Sequence, residues 1–209
     1  MRDIASASIA AGDSAAATRA RVKLAVAPST SPATLDSLVR QDRAHLGPTA
    51  WDSATAVARD DMYARLMERS ILRTVRGDPR LMSSDREEHS LSEIARGKPA
   101  VVIFWSRRCG AALDALPAIV VVAARLRDAG TPVLFIVDEP PSQEITDFLS
   151  ARKWTLPVYH DVNGTTRSAF ANFGTPVYYV LDSGGAIRFD HVDHEAELIA
   201  QVGAVRSLN

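Results

Sequence analysis

The stretch Ala100-Val101-Val102-Ile103-Phe104-Trp105-Ser106-Arg107-Arg108-Cys109-Gly110 decides the fold. Its first six residues form a continuous apolar run rich in β-branched and aromatic side chains, the composition of a strand buried on both faces. Leu116, Ile119, Val120, Ala123 and Leu126 then recur at helical spacing as far as Ala129-Gly130. A strand therefore turns into a helix, and Cys109 stands at the junction. It is the one cysteine among 209 residues. Any redox chemistry has to run on one sulfur, and no internal disulfide is available to mark an oxidising compartment.

Working outward from this unit, Pro132 to Val137 reads as a second strand and Gln143 to Lys153 as a second helix. Val177 to Leu181 and Ala186 to His191 read as two further strands joined by the turn Asp182-Ser183-Gly184-Gly185, and Glu195 to Leu208 as a closing helix. A βαβ unit followed by a hairpin and a helix predicts an α/β fold, a mixed β-sheet flanked by helices on both faces. Residues 1–89 are rich in alanine and arginine and predict an α-helical N-terminal region ahead of a domain at 90–209. Ser31-Pro32 resembles an N-cap and first-turn proline for a helix through Leu35, Leu38 and Val39 to about His45, stopped by Gly47-Pro48. A second helix is expected from Thr49 to Arg76, with Tyr63, Met67, Ile71 and Val75 as an apolar stripe that packs on neighbouring structure. The polar run Ser83 to Glu88 reads as a linker.

Composition excludes several classes of function. The 24 basic residues nearly balance the 25 acidic ones, leaving a net charge of -1, so nothing pulls the chain toward nucleic acid or anionic lipid. Met1 to Ala20 lacks the continuous apolar segment of a secretory signal. The longest strongly apolar stretch, Ala115 to Ala124, is too short for a membrane span and contains Pro117. A leader removed from a longer precursor remains compatible with this.

Residues Ser90 to Leu208 resemble the thioredoxin-like domain of the TlpA/ResA group of thiol-disulfide oxidoreductases. Ser90-Leu91-Ser92-Glu93-Ile94-Ala95-Arg96-Gly97-Lys98-Pro99 is similar to the group's lead-in. Phe104-Trp105 followed by Cys109-Gly110 is similar to its Phe-Trp-x-x-x-Cys-Gly segment, and Gly174-Thr175-Pro176 with Val180 to Arg188 to its cis-proline and hairpin. Pro117 stands eight residues after Cys109, as the group's helix proline stands after its first cysteine, and Trp105 stands four before. This register makes the motif Cys109-Gly110-Ala111-Ala112, with alanine in place of the resolving cysteine; the alternative, Ser106 to Cys109 as a degraded CxxC, would leave no nucleophile. The resemblance also implies a bacterial extracytoplasmic setting and no cofactor.

A cysteine in the first turn of a helix has its thiolate stabilised by unpaired amides and the helix dipole, and Arg107 and Arg108 add two cations just upstream, so a depressed thiol pKa is expected. The resemblance makes Cys109 the attacking thiol and implies that Thr175-Pro176 holds an extended partner segment. Trp105, Arg107, Arg108 and Gly110 complete the expected contacts with that partner, a protein or small-molecule thiol or disulfide. Ala112 cannot resolve a mixed disulfide, and Ala115 occupies the place where the group often carries a glutamate. Asp114 is adjacent but about 100° away around the helix. The expected activity is thus monothiol thiol-disulfide exchange. One alternative is a redox-inactive module that binds a partner protein. Another is a peroxiredoxin-like thiol peroxidase, favoured by Ser106 three before Cys109 and opposed by Val102 and Thr175-Pro176 where a proline and an arginine would be expected.

Two further constellations carry no functional expectation. His191 and His194, with Asp190, Asp193 and Glu195, lack a convincing third ligand, and no metal is predicted. His160-Asp161 has no spacing that brings it to Cys109.

Overall fold

The computed structural model describes residues 14–27, 37, 39–40, 42–44, 46–172, 174–190 and 195–208. The chain divides into two compact units, residues 1–69 and 70–209. In the first, helix α1 (Ser14–Val26) and helix α2 (Pro48–Glu68) pack together, and the described residues between 37 and 46 are helical. Pro48 at the first position of α2 suits a site whose amide has no intrahelical partner. Ala17, Ala20, Val22, Trp51 and Leu66 are buried, and Arg21 pairs with Asp42 at 2.6 Å. Ser31, Pro32, Leu35, Leu38 and His45 lie outside the described residues.

The expected boundary between residues 89 and 90 falls instead at Arg69–Ser70. Helix α2 stops at Glu68, where the Arg69 amide bonds back to Leu66 and Met67, and Ile71 donates to the carbonyl of Arg188. Three strands follow that the helical spacing concealed: β1 (Arg73–Thr74), β2 (Arg80–Ser83) and β3 (Glu88–Ser90). The apolar stripe is thus split. Tyr63 and Met67 sit on α2, while Val75 is buried in the core of the second unit. Ser83 to Glu88 is no linker; it turns β2 into β3, with Ser83 donating to the Glu87 carbonyl.

The second unit continues through α3 (Leu91–Ala95), β4 (Ala100–Phe104), α4 (Gly110–Asp128), β5 (Val133–Val137), α5 (Gln143–Ser150), β6 (Val158–His160), α6 (Thr165–Ala169), β7 (Val177–Leu181), β8 (Ala186–Asp190) and α7 (Glu195–Arg206). Eight strands form one mixed sheet in the order β1-β8-β7-β4-β5-β6-β2-β3. β4, β5 and β6 are parallel, whereas β7 lies antiparallel to β4. Every residue of β4, β5 and β7 is buried, as expected of central strands covered on both faces. Ser90 and Glu93 start α3 with a reciprocal capping box. Asp182 accepts from the amides of Gly184 and Ala186, and Gly185 takes φ 81°, which closes the β7–β8 turn.

Alternation along the strands sorts their side chains into two cores. Val102, Phe104, Leu134, Ile136 and Tyr179 pack with Leu91, Ala95, Ala169 and Phe170. Within this cluster Phe104, Phe170 and Tyr179 meet edge to face, with centroids 5.0–5.8 Å apart. The other face is covered by α4 and α7, which bury Leu116, Ile119, Ala123 and Leu126, and Leu198, Val202 and Val205. Arg206 ties α7 to the end of α4 by donating to the Ala129 carbonyl and the Thr131 hydroxyl. Among the described residues no helix is long and apolar enough to cross a membrane.

Candidate active site

β4 delivers the chain from the middle of the sheet to its carboxyl end, and the turn Ser106 to Cys109 reverses it into α4. The Cys109 amide donates to the Ser106 carbonyl at 3.2 Å, and the Cys109 carbonyl accepts the first helical bond, from Leu113. Cys109 is therefore the N-cap of α4, Gly110 its first residue and Ala112 a buried residue of its first turn. Ser106 opens the turn, ahead of the helix, and is buried, with its hydroxyl accepting from the Arg108 amide.

The Thr175–Pro176 peptide is cis, and the Thr175 carbonyl accepts the Cys109 thiol at 3.2 Å across 66 residues of sequence. Cys109 is half-buried and its pKa lies below the ordinary thiol value. The Ala112 amide contributes most, followed by the Thr175 side chain and the Ala111 amide, against a desolvation cost that opposes them. In the geometry seen here the sulfur closes no hydrogen bond to those amides. They are the partners the ionised sulfur gains, while the Thr175 carbonyl favours the protonated thiol.

The arginines behave differently from expectation. Arg107 pairs with Glu139 at 2.9 Å and also with Glu144, and Arg108 reaches the same Glu139 oxygen at 3.6 Å. Their charge is spent on two carboxylates rather than on the thiol, so the depressed pKa stems from the helix start and Thr175. Arg108 is nonetheless 76% exposed in its side chain and stands at the rim. Trp105 does not: it is 1% exposed and stacks on Phe148 at 5.9 Å, with the Arg152 guanidinium 3.8 Å beyond that ring. As the last apolar residue of a buried strand it supports the turn from beneath and offers no surface to a partner. Gly110 is exposed, with open space where a Cβ would be. Asp114 is exposed and Ala115 half-buried.

Two residues that sequence reasoning passed over hold the site together. Glu139 follows β5, is only 6% exposed, and has one carboxylate oxygen on both arginines while the other is buried without a partner. Nothing local in Asp138-Glu139-Pro140 marks this, because both partners are some thirty residues away. Asn172 is buried and accepts from the Gly174 amide at 3.0 Å, fixing the approach to Thr175. An Asn two residues before a glycine is a turn signal that was legible. His160 donates through Nδ1–H to the Glu139 carbonyl at 2.7 Å, and burial lowers its pKa. Asp161 caps α6 through the amides of Thr166 and Arg167. Neither residue bonds to Cys109. His191, Asp193 and His194 lie outside the described residues, and Asp190 pairs with Arg73.

The family model for AhpC/TSA matches residues 78–190, more than half of the chain. The chain belongs to the AhpC/TSA family. Its second unit has the thioredoxin-like fold, as several solved structures show. The pneumococcal exposed lipoprotein thioredoxin Etrx1 of Streptococcus pneumoniae is 21% identical with a TM-score of 0.51, over 61% of this chain and 98% of that one. StoA of Bacillus subtilis is 19% identical with a TM-score of 0.52, over 62% and 98%. A thioredoxin-family thiol:disulfide interchange protein of Chlorobium tepidum is 18% identical with a TM-score of 0.52, over 64% and 97%. No curated protein sequence matches the chain.

Proposed function

We propose that this AhpC/TSA-family protein is a monothiol thiol-disulfide oxidoreductase of the TlpA/ResA type acting through Cys109. The observation that carries the reading is the placement of a half-buried thiol of lowered pKa at the start of α4, within 3.2 Å of the Thr175 carbonyl. The Cys109 thiolate attacks one sulfur of a partner disulfide. A Cys109–partner disulfide forms, the partner's S–S bond breaks, and the second partner sulfur leaves as a thiolate that takes a proton from water. Ala112 supplies no second sulfur, so an external thiol attacks the mixed disulfide and releases Cys109 as thiolate. Thr175-Pro176 lines the partner segment, and Arg108 and Gly110 form the exposed rim.

The test is reaction of the reduced protein with oxidised glutathione, followed by intact-mass analysis. One glutathione is expected on Cys109, removable by added thiol, with none on the Cys109→Ser variant. A thiol that alkylates at neutral pH no faster than a free cysteine, and forms no mixed disulfide, overturns the reading in favour of a redox-inactive binding module. Family membership also favours hydrogen peroxide as an alternative oxidant, yet among the described residues no arginine hydrogen-bonds the sulfur. Peroxide consumption faster than glutathionylation would favour the peroxidase.

A further inference from the structure

At the opposite end of the sheet from Cys109, the amino ends of β4, β5 and β6 surround a cavity of about 600 Å³, within the size range of small-molecule sites. Arg96 and Lys98 enter it from the segment before β4, and Arg127 from the last turn of α4. Among the described residues none of the three is ion-paired, in contrast to Arg107 and Arg108; Arg127 donates to the Thr155 carbonyl. Among the described lining residues the one carboxylate, Glu93, is engaged by the Ser90 amide at 2.7 Å in the capping box. Three cations against one carboxylate leave the cavity about two positive charges in excess, the complement of a phosphate monoester at neutral pH.

The remaining lining sets the rings of Pro132, Pro157 and Tyr159 beside Ile94 and Val133, with His89 and Thr131 as its further polar side chains. Burial keeps the Tyr159 hydroxyl protonated, with the Arg96 guanidinium acting in the opposite sense and Asp85 with burial. It therefore remains a neutral hydrogen-bonding group beside the cations. We propose that this cavity binds a small organic phosphate monoester with a flat ring: the phosphate on Arg96, Lys98 and Arg127, the ring against the proline and tyrosine wall. The thiol lies beyond the other ends of the same strands, so this site is separate from thiol exchange.

The test is calorimetric titration of the full chain with AMP as probe, beside adenosine and inorganic phosphate, at low and high salt. Saturable AMP binding is expected, weakened by salt, with adenosine and phosphate each at least about tenfold weaker. The Arg96→Glu/Lys98→Glu variant loses it, while the Cys109 alkylation rate and thermal midpoint stay unchanged. If that double variant fails to fold, Lys98→Gln, at an exposed position, is expected to weaken AMP several-fold. Absence of saturable binding overturns the proposal, as does AMP binding that survives these substitutions. Adenosine or inorganic phosphate binding as tightly as AMP also overturns it. The Cys109 readout is independent, so failure here leaves the thiol function standing and the converse.

Discussion

The sulfur of Cys109 lies between the Thr175 carbonyl, which favours the protonated thiol, and the amides at the start of α4, which favour the thiolate. The amides and the Thr175 side chain win. The rate of iodoacetamide alkylation against pH is therefore expected to have its midpoint below that of a free cysteine. A group whose folded pKa is depressed adds stability above its unfolded pKa, and that addition fades as pH falls through the folded value, so any contribution from Cys109 belongs to alkaline solution. Because Glu139 and Glu144 hold the arginines, Arg108→Ala should move the alkylation midpoint by no more than about 0.3 units, on the scale where one unit is about 1.4 kcal/mol. A large upward shift would show that the arginine does govern the thiol. Glu139→Gln should act in the opposite sense: it removes a carboxylate near the site, frees Arg108 and leaves Arg107 only Glu144, lowers the midpoint, and reduces the urea midpoint by loosening the turn.

At the scale of elements, α4 does two jobs: its first turn presents the sulfur, and its buried side covers the sheet. Leu116 is fully buried there, so Leu116→Ala is expected to cost about 3 kcal/mol in urea unfolding, through lost transfer energy and the cavity left behind. Register is tested on the same helix. Ala112→Cys places a second sulfur one turn after the first and should restore dithiol turnover with an internal disulfide. Ser106→Cys, ahead of the helix, should not; turnover restored there would mean the motif is displaced by three residues. β6 contributes a pH dependence of its own. Burial holds His160 below the ordinary imidazole value of about 6.5, so the unfolded chain takes up a proton that the fold does not. Stability is then full above that value and falls as pH drops below it. The thermal midpoint at pH 5 should lie under that at pH 7.5, with a shallower decline in His160→Gln.

On the scale of the whole molecule, the sheet, both its cores and every residue placed at the site belong to residues 70–209. A chain beginning at Ser70 should fold cooperatively and keep the alkylation rate of Cys109, whereas one beginning at Ser90 should lose cooperativity. The second truncation removes β1 and β2 and with them Val75 and Leu81 from the core. Circular dichroism melts with alkylation kinetics on the two truncations check this. The sheet also separates the two proposed sites, since parallel strands send their carboxyl ends to Cys109 and their amino ends to the cationic cavity.

The sequence by itself determined the elements whose signals are local: the buried run of β4, the periodicity of α4, the turn at Asp182 to Gly185 and the cysteine at a helix start. Each rests on neighbours within one strand, turn or helical period, so no distant partner was needed to see it. What only the tertiary structure decided lies where a residue's state depends on something far along the chain. Residues 70–76 continue a helical spacing, yet Arg73 and Thr74 pair with β8 and the Ile71 amide bonds to Arg188, partners more than a hundred residues away that no local pattern could reveal. Arg107 and Arg108 look like activators of the thiol until Glu139, remote in sequence, takes their charge. Trp105 looks like rim until β4 carries it inside. Charge and hydrophobicity are properties of a residue, but what they act on is settled by which parts of the chain fold against it.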